Sequence, residues 1–303
     1  MWKEVLYRRH GIFKEMKMKK GTLVSVVLLL AAVSLGYAQD PGAGGLHGSV
    51  DVTYLSKYVW RGFDVYDDKS AVQPSVNLDL GGGVGVSVMG HRANTSGFEM
   101  TGERWDYYLH YSNAVNPGEK NALHYRIGYV YYNYPDMSSH TAGGISPTGI
   151  PFGSIDLQEL HAIFSLPNIL PVKGLVPTYV LVKLWPSNSG TIVGAKSPVG
   201  GTASGFAHIF MLDYGIPVKS GGTDKPEQVI NLHSEVVFND GVGPNGANVD
   251  HDWSNAVFGI STTFDLGGNF SLTPGVYHQV TMDKSVNSDN SETWASVGAT
   301  YKF

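Results

Sequence analysis

The residues best able to do chemistry in this chain are charged and histidine side chains that recur at alternate positions of short segments. They are Asp51, Lys57, Arg61, Arg126, Glu159, His161, Lys183, His208, His233 and Glu235. If each segment is a β-strand, alternate residues share one face, so these side chains would line a common enclosed space. Mixed charges in a narrow aqueous space select solutes by charge or neutralise one another. Arg126 and Glu159, expected on neighbouring strands at similar heights, are candidates for a neutralising pair.

Metal binding is a second chemistry to consider, because histidine is a common metal ligand and titrates near neutral pH. The histidines on the same predicted face are His110, His124, His161, His208 and His233. Their spacing matches no metal motif, although His208 and His233 are expected to be neighbours. The pattern therefore favours ordinary polar residues over a metal site.

Two groups of aspartates offer the carboxylate ligands that Ca²⁺ prefers. The groups are Asp64, Asp67 and Asp68, and, more loosely spaced, Asp240, Asp250 and Asp252. Neither group has the spacing of an EF-hand loop. We expect solvated loop charge in both places.

A hydrolytic enzyme would need a nucleophile, a base and an orienting group within hydrogen-bond reach. The neighbours His233 and Ser234 would point to opposite faces of a strand, and no Gly-x-Ser-x-Gly elbow occurs between a strand and a helix. The glycine-rich run 200–205 lacks the lysine and the helix of a phosphate-binding loop. The chain contains no cysteine, which excludes thiol catalysis and thiolate metal sites. We predict no enzyme activity, no catalytic residue, no resident metal and no cofactor.

The elements that would position these residues are segments of about ten residues that alternate in hydrophobicity, separated by Gly, Pro, Asn, Asp and Ser. The predicted strands are 48–61, 71–80, 84–92, 104–112, 122–133, 154–166, 175–185, 205–214, 227–238, 253–265, 270–281 and 292–303. The apolar face of the first strand would present Tyr54, Tyr58 and Trp60 to lipid. Charges are assigned inward, because Arg or Lys facing lipid at mid-membrane costs about 2–4 kcal/mol.

The connections alternate between short and long. Residues 81–83 and 267–269 are tight glycine-rich turns, whereas the links 134–153 and 186–204 are long. Short periplasmic turns and longer extracellular loops are typical of outer-membrane barrels, although the 215–226 link is long for a turn. We predict an all-β fold, a transmembrane, antiparallel, up-and-down β-barrel of about twelve strands. A soluble β-sandwich is the alternative.

The last predicted strand ends on an aromatic residue, Phe303, and has apolar residues at every second position from Ala295. A strand of this kind looks like the C-terminal signal that the barrel-insertion machinery reads. It would place the C-terminus at the periplasmic rim and assign Ser296, Gly298, Thr300 and Lys302 to the lumen.

Residues 1–38 have the features of a signal peptide. Three lysines precede a thirteen-residue apolar run, and a small-x-small cleavage site ends at Ala38. An uncleaved anchor helix is the alternative, but the run is shorter than the roughly 20 residues that span a bilayer. Met16 or Met18 would make a more ordinary start than Met1, so residues 1–15 are expected to precede the true start.

The barrel would then comprise residues 39–303, which carry 14 Lys and Arg against 24 Asp and Glu. An exported chain with this acidic excess is a poor candidate for binding nucleic acid.

The run Leu55–Phe63, LSKYVWRGF, resembles the entry motif of the TorF-like porins. In that family a Ser-x-Tyr-x-aromatic-Arg-Gly run lies early in the mature chain, followed by a segment like Gln73–Leu78 and a glycine-rich hairpin. The resemblance is sharpest over residues 50–92 and at the C-terminal strand. It implies an outer-membrane barrel with a porin role and no proven substrate.

Twelve strands lie between the eight whose lumen side chains can fill and the sixteen to eighteen that leave an aqueous channel. We therefore expect passive diffusion of small hydrophilic solutes or ions across a bacterial outer membrane, through a pore lined by the ten residues named first. The alternative is a non-conducting structural or surface-binding barrel acting through 134–153 and 186–204. Expected partners are outer-membrane lipid, the insertion machinery acting on Phe303, and the solutes themselves.

Overall fold

A computed structural model describes residues 47–96, 102–135, 156–186, 205–218, 228–241, 249 and 251–303. Its long strands are β1 His47–Leu55, β2 Ala71–Asp79, β3 Val84–Ala93, β4 Glu103–Val115, β5 Leu123–Asn133, β6 Leu157–Ser165, β7 Leu175–Pro186, β8 Gly205–Val218, β9 Gln228–Gly241, β10 Asp252–Thr262, β11 Phe270–Thr281 and β12 Glu292–Lys302. A two-stranded pairing of Val59–Trp60 with Phe63–Asp64 follows β1, a short strand Phe264–Gly267 follows β10, and a 3-10 turn spans Asn287–Asp289. The predicted signal peptide and most of the links 134–153 and 186–204 lie outside the described residues.

Each long strand pairs antiparallel with the next, and β1 pairs with β12, so the twelve strands form a closed ring. In the closing pair Asp51 lies opposite Thr300. The predicted fold, a twelve-stranded antiparallel up-and-down barrel, is confirmed. Alternating sequences produce this ring because each strand presents one face outward and one to the interior.

The predicted strand bounds agree with the observed ones to within four residues, with one exception. The first strand was expected to run to Arg61 but ends at Leu55. Tyr58 and Trp60, which we expected to face lipid, turn into the barrel instead, and Tyr58 is 4% exposed. Both side chains turn inward because they pack against buried partners inside the ring.

The outer face of the ring is largely apolar. Exposed large hydrophobic side chains recur around it, among them Tyr54, Val88, Leu109, Ile127 and Phe258. Within the described ranges, no helix is long and apolar enough to cross a membrane.

The two ends of the barrel differ. One end, here called the turn end, carries the tight connections at residues 80–83 and 268–269 and the outer ends of β1 and β12. The other, the loop end, carries the longer connection 56–70 and the connection 282–291. Inside the loop end lie the apolar clusters around Val130, Tyr66 and Phe63.

The inner face of the ring is the one that carries Glu159 and Gln279, because residues 57–68 touch both from within. Val182 and Leu184 share this face, since they lie opposite His161 and Glu159.

Lys183 therefore points outward, and its Nζ lies 4.5 Å from the centroid of the Phe206 ring. His208 points outward too, with its Nδ1 2.7 Å from the Tyr179 hydroxyl. The expectation that Lys183 and His208 line the lumen was wrong. Strands β7 and β8 are apolar on both faces there, so hydrophobic alternation does not reveal which face is which.

We predict that spin labels will separate the two faces, since single cysteines introduced into this cysteine-free chain label unique sites. In lipid vesicles, labels at Lys183→Cys and His208→Cys will collide more with oxygen, which concentrates in lipid, than with a water-soluble nickel complex. Arg126→Cys, on the inner face, is the matched control and will show the reverse preference. Equal profiles at positions 126 and 183 would contradict the assigned faces.

Candidate functional site

The chain turns into the barrel after β1, and residues 57–68 form what we call the inner hairpin. Its tip reaches both sides of the ring. Arg61 forms an ion pair with Glu159 on β6, and the Gly62 carbonyl accepts a hydrogen bond from Gln279 Nε2 on β11 at 2.8 Å. Because β6 and β11 lie nearly opposite in a ring of twelve, the inner hairpin crosses the lumen.

The turn at the tip of the inner hairpin depends on its residue types. Val59 and Trp60 pair with Asp64 and Phe63, leaving a two-residue loop of Arg61 and Gly62. Both loop residues have positive φ, 50° and 94°, as a type I′ turn requires. Glycine adopts this conformation freely, whereas for arginine it is uncommon. Arg61 forms its ion pair with Glu159 from this turn, so we infer that the ion pair compensates for the energetic cost of the positive φ at Arg61.

Glu159 is the centre of a buried hydrogen-bond network. It is 3% exposed and accepts hydrogen bonds from Arg61 and, at 2.6 Å, from the Tyr132 hydroxyl. His161 Nδ1 lies 3.2 Å from its other oxygen. A buried carboxylate with one charged and two further partners keeps its ionised form at low cost, whereas removing the cation would leave an uncompensated charge.

Arg104 on β4 anchors the base of the inner hairpin. Its guanidinium lies 4.6 Å from the Trp60 ring centroid and 5.0 Å from that of Tyr132. It donates to the Tyr58 hydroxyl at 2.7 Å and to both oxygens of Asp106, at 2.7 and 2.9 Å. A cation enclosed by aromatic rings and paired with a carboxylate holds the two hairpin aromatics inside the barrel.

Lys57 fixes the start of the inner hairpin to β12. Its ammonium donates to Glu292 at 2.6 Å and also forms an ion pair with Asp68. These two carboxylates, Asp68 first, hold the pKa of Lys57 above its usual range. Lys57 in turn holds the pKa of the Asp68 carboxyl below its usual range. The lysine thus joins the beginning and the end of the inner hairpin to the wall.

Of the aspartates considered as Ca²⁺ ligands, for which solvated loop charge was expected, Asp64 and Asp68 lie close together. They share a cluster with Glu292, in which one carboxylate oxygen of each residue lies within 4.8 Å of the others. The Lys57 ammonium contacts two of the three carboxylates and supplies the positive charge that the cluster needs. Asp250 lies outside the described residues.

Below the inner hairpin, the turn end of the lumen contains an open cavity of about 740 Å³. Its lining includes Asp79, His110, Arg126, His161 and Lys302. A second cavity of about 500 Å³ continues along the hydroxyl-rich wall of β1, β2, β11 and β12. The lumen is therefore narrow at the loop end and polar and hollow at the turn end.

Four of the predicted lumen residues meet at the inner hairpin: Lys57, Arg61, Glu159 and His161. Arg126 does not. The prediction that Arg126 pairs with Glu159 was wrong. Arg126 lies opposite Ile163, and Ile163 is four residues, or about 13 Å, from Glu159 along β6. Glu159 is paired with Arg61 instead.

The other inward-facing predicted residues have separate partners. Asp51 accepts hydrogen bonds from Asn77, at 2.8 Å, and from Thr300, at 2.6 Å. His233 Nδ1 lies 2.7 Å from Asp213 Oδ1, and His233 Nε2 lies 3.7 Å from Glu235 Oε2. His208 and His233, expected to be neighbours, point to opposite faces of adjacent strands.

Some residues at this site were missing from the candidate set. Tyr58 and Trp60 were assigned to the lipid face, and Tyr132, Gln279 and Glu292 were not considered. A signal existed for the first two, since a charge-flanked Tyr-x-Trp-Arg-Gly run is a poor lipid-facing strand end. Nothing in the local sequence marks the other three.

Residues 39–146 match a family described as bacterial protein of unknown function (Gcw_chp). No match is found among curated proteins. Among solved structures, the chain is similar to the NanC porin, at 10% identity with a TM-score of 0.48, covering 84% of this chain and 100% of that one.

Two further similar structures have the same low identity. The KdgM porin in complex with disordered oligogalacturonate is 10% identical, with a TM-score of 0.47 and coverage of 84% of this chain and 99% of that one. An outer membrane channel from Pseudomonas putida F1 is 10% identical, with a TM-score of 0.47 and coverage of 87% and 99%. These similarities concern the course of the backbone alone.

We predict that Glu159→Gln will lower the stability of the barrel, because it leaves the buried Arg61 without its counter-charge. Breaking a buried pair in this way costs about 3–5 kcal/mol. The measurement is the unfolding midpoint of the detergent-solubilised protein in urea.

The control is Arg92→Gln, which breaks the pair with Glu103 on the outer side of β3 and β4, where the Arg92 side chain is 45% exposed. Exposed pairs contribute about 0–1 kcal/mol, so this variant will unfold near the wild type. An equal, small effect of both substitutions would show that the Arg61–Glu159 pair does not hold the inner hairpin.

Proposed function

We propose that this chain is an outer-membrane channel for passive diffusion of small hydrophilic solutes or ions, with its constriction at the inner hairpin. The observation that carries the proposal is a closed barrel with a hollow polar turn end and a charged hairpin across its loop end. Solutes would enter past Arg61 and Glu159 and leave through the turn-end cavity. Charged groups at a constriction select by charge and size.

The proposed location is a bacterial outer membrane, reached through the signal peptide 1–38. The turn end would face the periplasm, since such barrels have short periplasmic turns. The apolar outer face would contact lipid, and the insertion machinery would act on the strand that ends at Phe303.

We also propose membership of the TorF-like porins, on the motif of residues 56–62. The motif's side chains are those of the inner hairpin: Tyr58 and Trp60 contact Arg104, and Arg61 contacts Glu159. A family motif that builds a constriction is consistent with a shared channel architecture.

The pore-lining residues we propose are the eight that face inward. They are Asp51, Lys57, Arg61, Arg126, Glu159, His161, His233 and Glu235. Those at the inner hairpin would set the narrowest point, whereas Asp51, Arg126, His233 and Glu235 would line the wider part.

A second candidate is a barrel that does not conduct unless the inner hairpin moves. The observation in its favour is the set of contacts that the hairpin makes with β4, β6, β11 and β12 at once. In this case the hairpin would act as a plug.

We predict that the inner hairpin limits conductance. Replacing residues 58–67 by a short glycine-serine linker removes the crossing segment and will raise the unitary conductance in a planar bilayer several-fold. Arg92→Ala, on the outer side, will leave it unchanged. Absence of current in both proteins, with insertion demonstrated, would exclude a channel, whereas current only in the shortened variant would establish the plug.

A further inference from the structure

Arg126 is an arginine with donors to spare in an open cavity. Its Nε donates a hydrogen bond to Ser112 Oγ at 3.0 Å, which orients the guanidinium. The N–H groups of its two terminal nitrogens remain available for a ligand. No described carboxylate forms an ion pair with it, and its side chain is exposed to the lumen. This distinguishes Arg126 from Arg61 and Arg104, which are buried and paired.

The cavity that Arg126 lines contains a second cation, although the chain as a whole is acidic. Lys302 lines the same cavity and likewise forms no ion pair within the described part of the chain, and His110 and His161 stand on the strands flanking Arg126. Asp79 is the carboxylate in the lining. The nearby Asp51 carboxylate accepts hydrogen bonds from Asn77, Thr300 and Ser49.

The backbone beneath the imidazoles is adapted to hold them against the wall. His161 packs over Gly128, and His110 packs over Gly85, where a Cβ would lie 2.5 Å from Nε2. Any larger residue at either glycine would displace the imidazole from the wall.

The part of the cavity wall formed by β1, β2 and β3 carries neutral hydrogen-bonding groups. Ser49, Asn77 and Ser87 contribute to the lining there. A volume of about 740 Å³ admits a small organic solute together with water.

We propose that the turn-end cavity is a binding site for a small hydroxylated carboxylate, with Arg126 as its anchoring residue. The planar guanidinium matches a carboxylate in a bidentate pair. Ser87 and the side-chain oxygen of Asn77 can accept hydrogen bonds from hydroxyl groups, and Lys302 adds attraction from its own side of the cavity. This inference names the solute class of the proposed channel and in that sense rests on the proposed function.

The experiment is a calorimetric titration of the full, detergent-solubilised barrel with sodium gluconate, and with sorbitol as the uncharged compound of the same carbon length. We expect wild type to bind gluconate and to show no heat of binding with sorbitol. Arg126→Gln will weaken gluconate binding at least tenfold, and Arg126→Lys will weaken it less, because it keeps the charge and loses the fork. Arg92→Gln, on the outer side and outside the cavity, is the matched control and will bind as wild type.

Three results would overturn the inference: no gluconate binding by wild type, equal binding of sorbitol, or gluconate binding that Arg126→Gln leaves unchanged. The urea midpoint of each variant is measured alongside, so that a folding defect is recognised. Lys302→Gln gives an independent test, with a weaker affinity expected. Conductance of the same proteins separates the two proposals, since current without gluconate binding overturns this site alone and binding without current overturns the channel alone.

Discussion

Closure of the strand ring is the constraint on which everything else in this protein depends. In lipid an unpaired backbone N–H or C=O group costs several kcal/mol, so the edges of a membrane sheet must meet. The pairing of β1 with β12 achieves this, and it gives the interior a fixed width set by twelve strands. An interior of that width lies between that of eight-stranded barrels, which side chains fill, and that of sixteen- to eighteen-stranded barrels, which leave an aqueous channel.

Part of this interior is filled by a segment of the chain itself, the inner hairpin. The inner hairpin brings aromatic and charged side chains to the loop end, where Arg104, Glu159 and Glu292 provide opposite charges and aromatic contacts. Buried ion pairs contribute little net stability but are costly to break, so they fix a geometry more than they strengthen a fold. The same pairs that hold the hairpin therefore define the size and charge of the constriction that we propose.

The two halves of the lumen consequently have different chemistry. At the loop end, Arg61 and Arg104 are buried and paired with carboxylates. At the turn end, Arg126 and Lys302 are open to the cavity. A passage whose cations are paired at the inner hairpin and unpaired at Arg126 and Lys302 would filter by size first and by charge afterwards.

The sequence by itself determined the strands, their order and most of the inward faces, because alternation with period two is a local property that lipid enforces along each strand. Asp51, Arg126, Glu159 and His233 could be assigned inward on that ground. The assignment failed for Lys183 and His208, because β7 and β8 are apolar on both faces and alternation carries no signal there. Only the tertiary structure decided that the first strand stops at Leu55, and that Glu159 pairs with Arg61 and not with Arg126. These contacts join residues 98 positions apart through the barrel interior, and their partners exist only once the ring has closed.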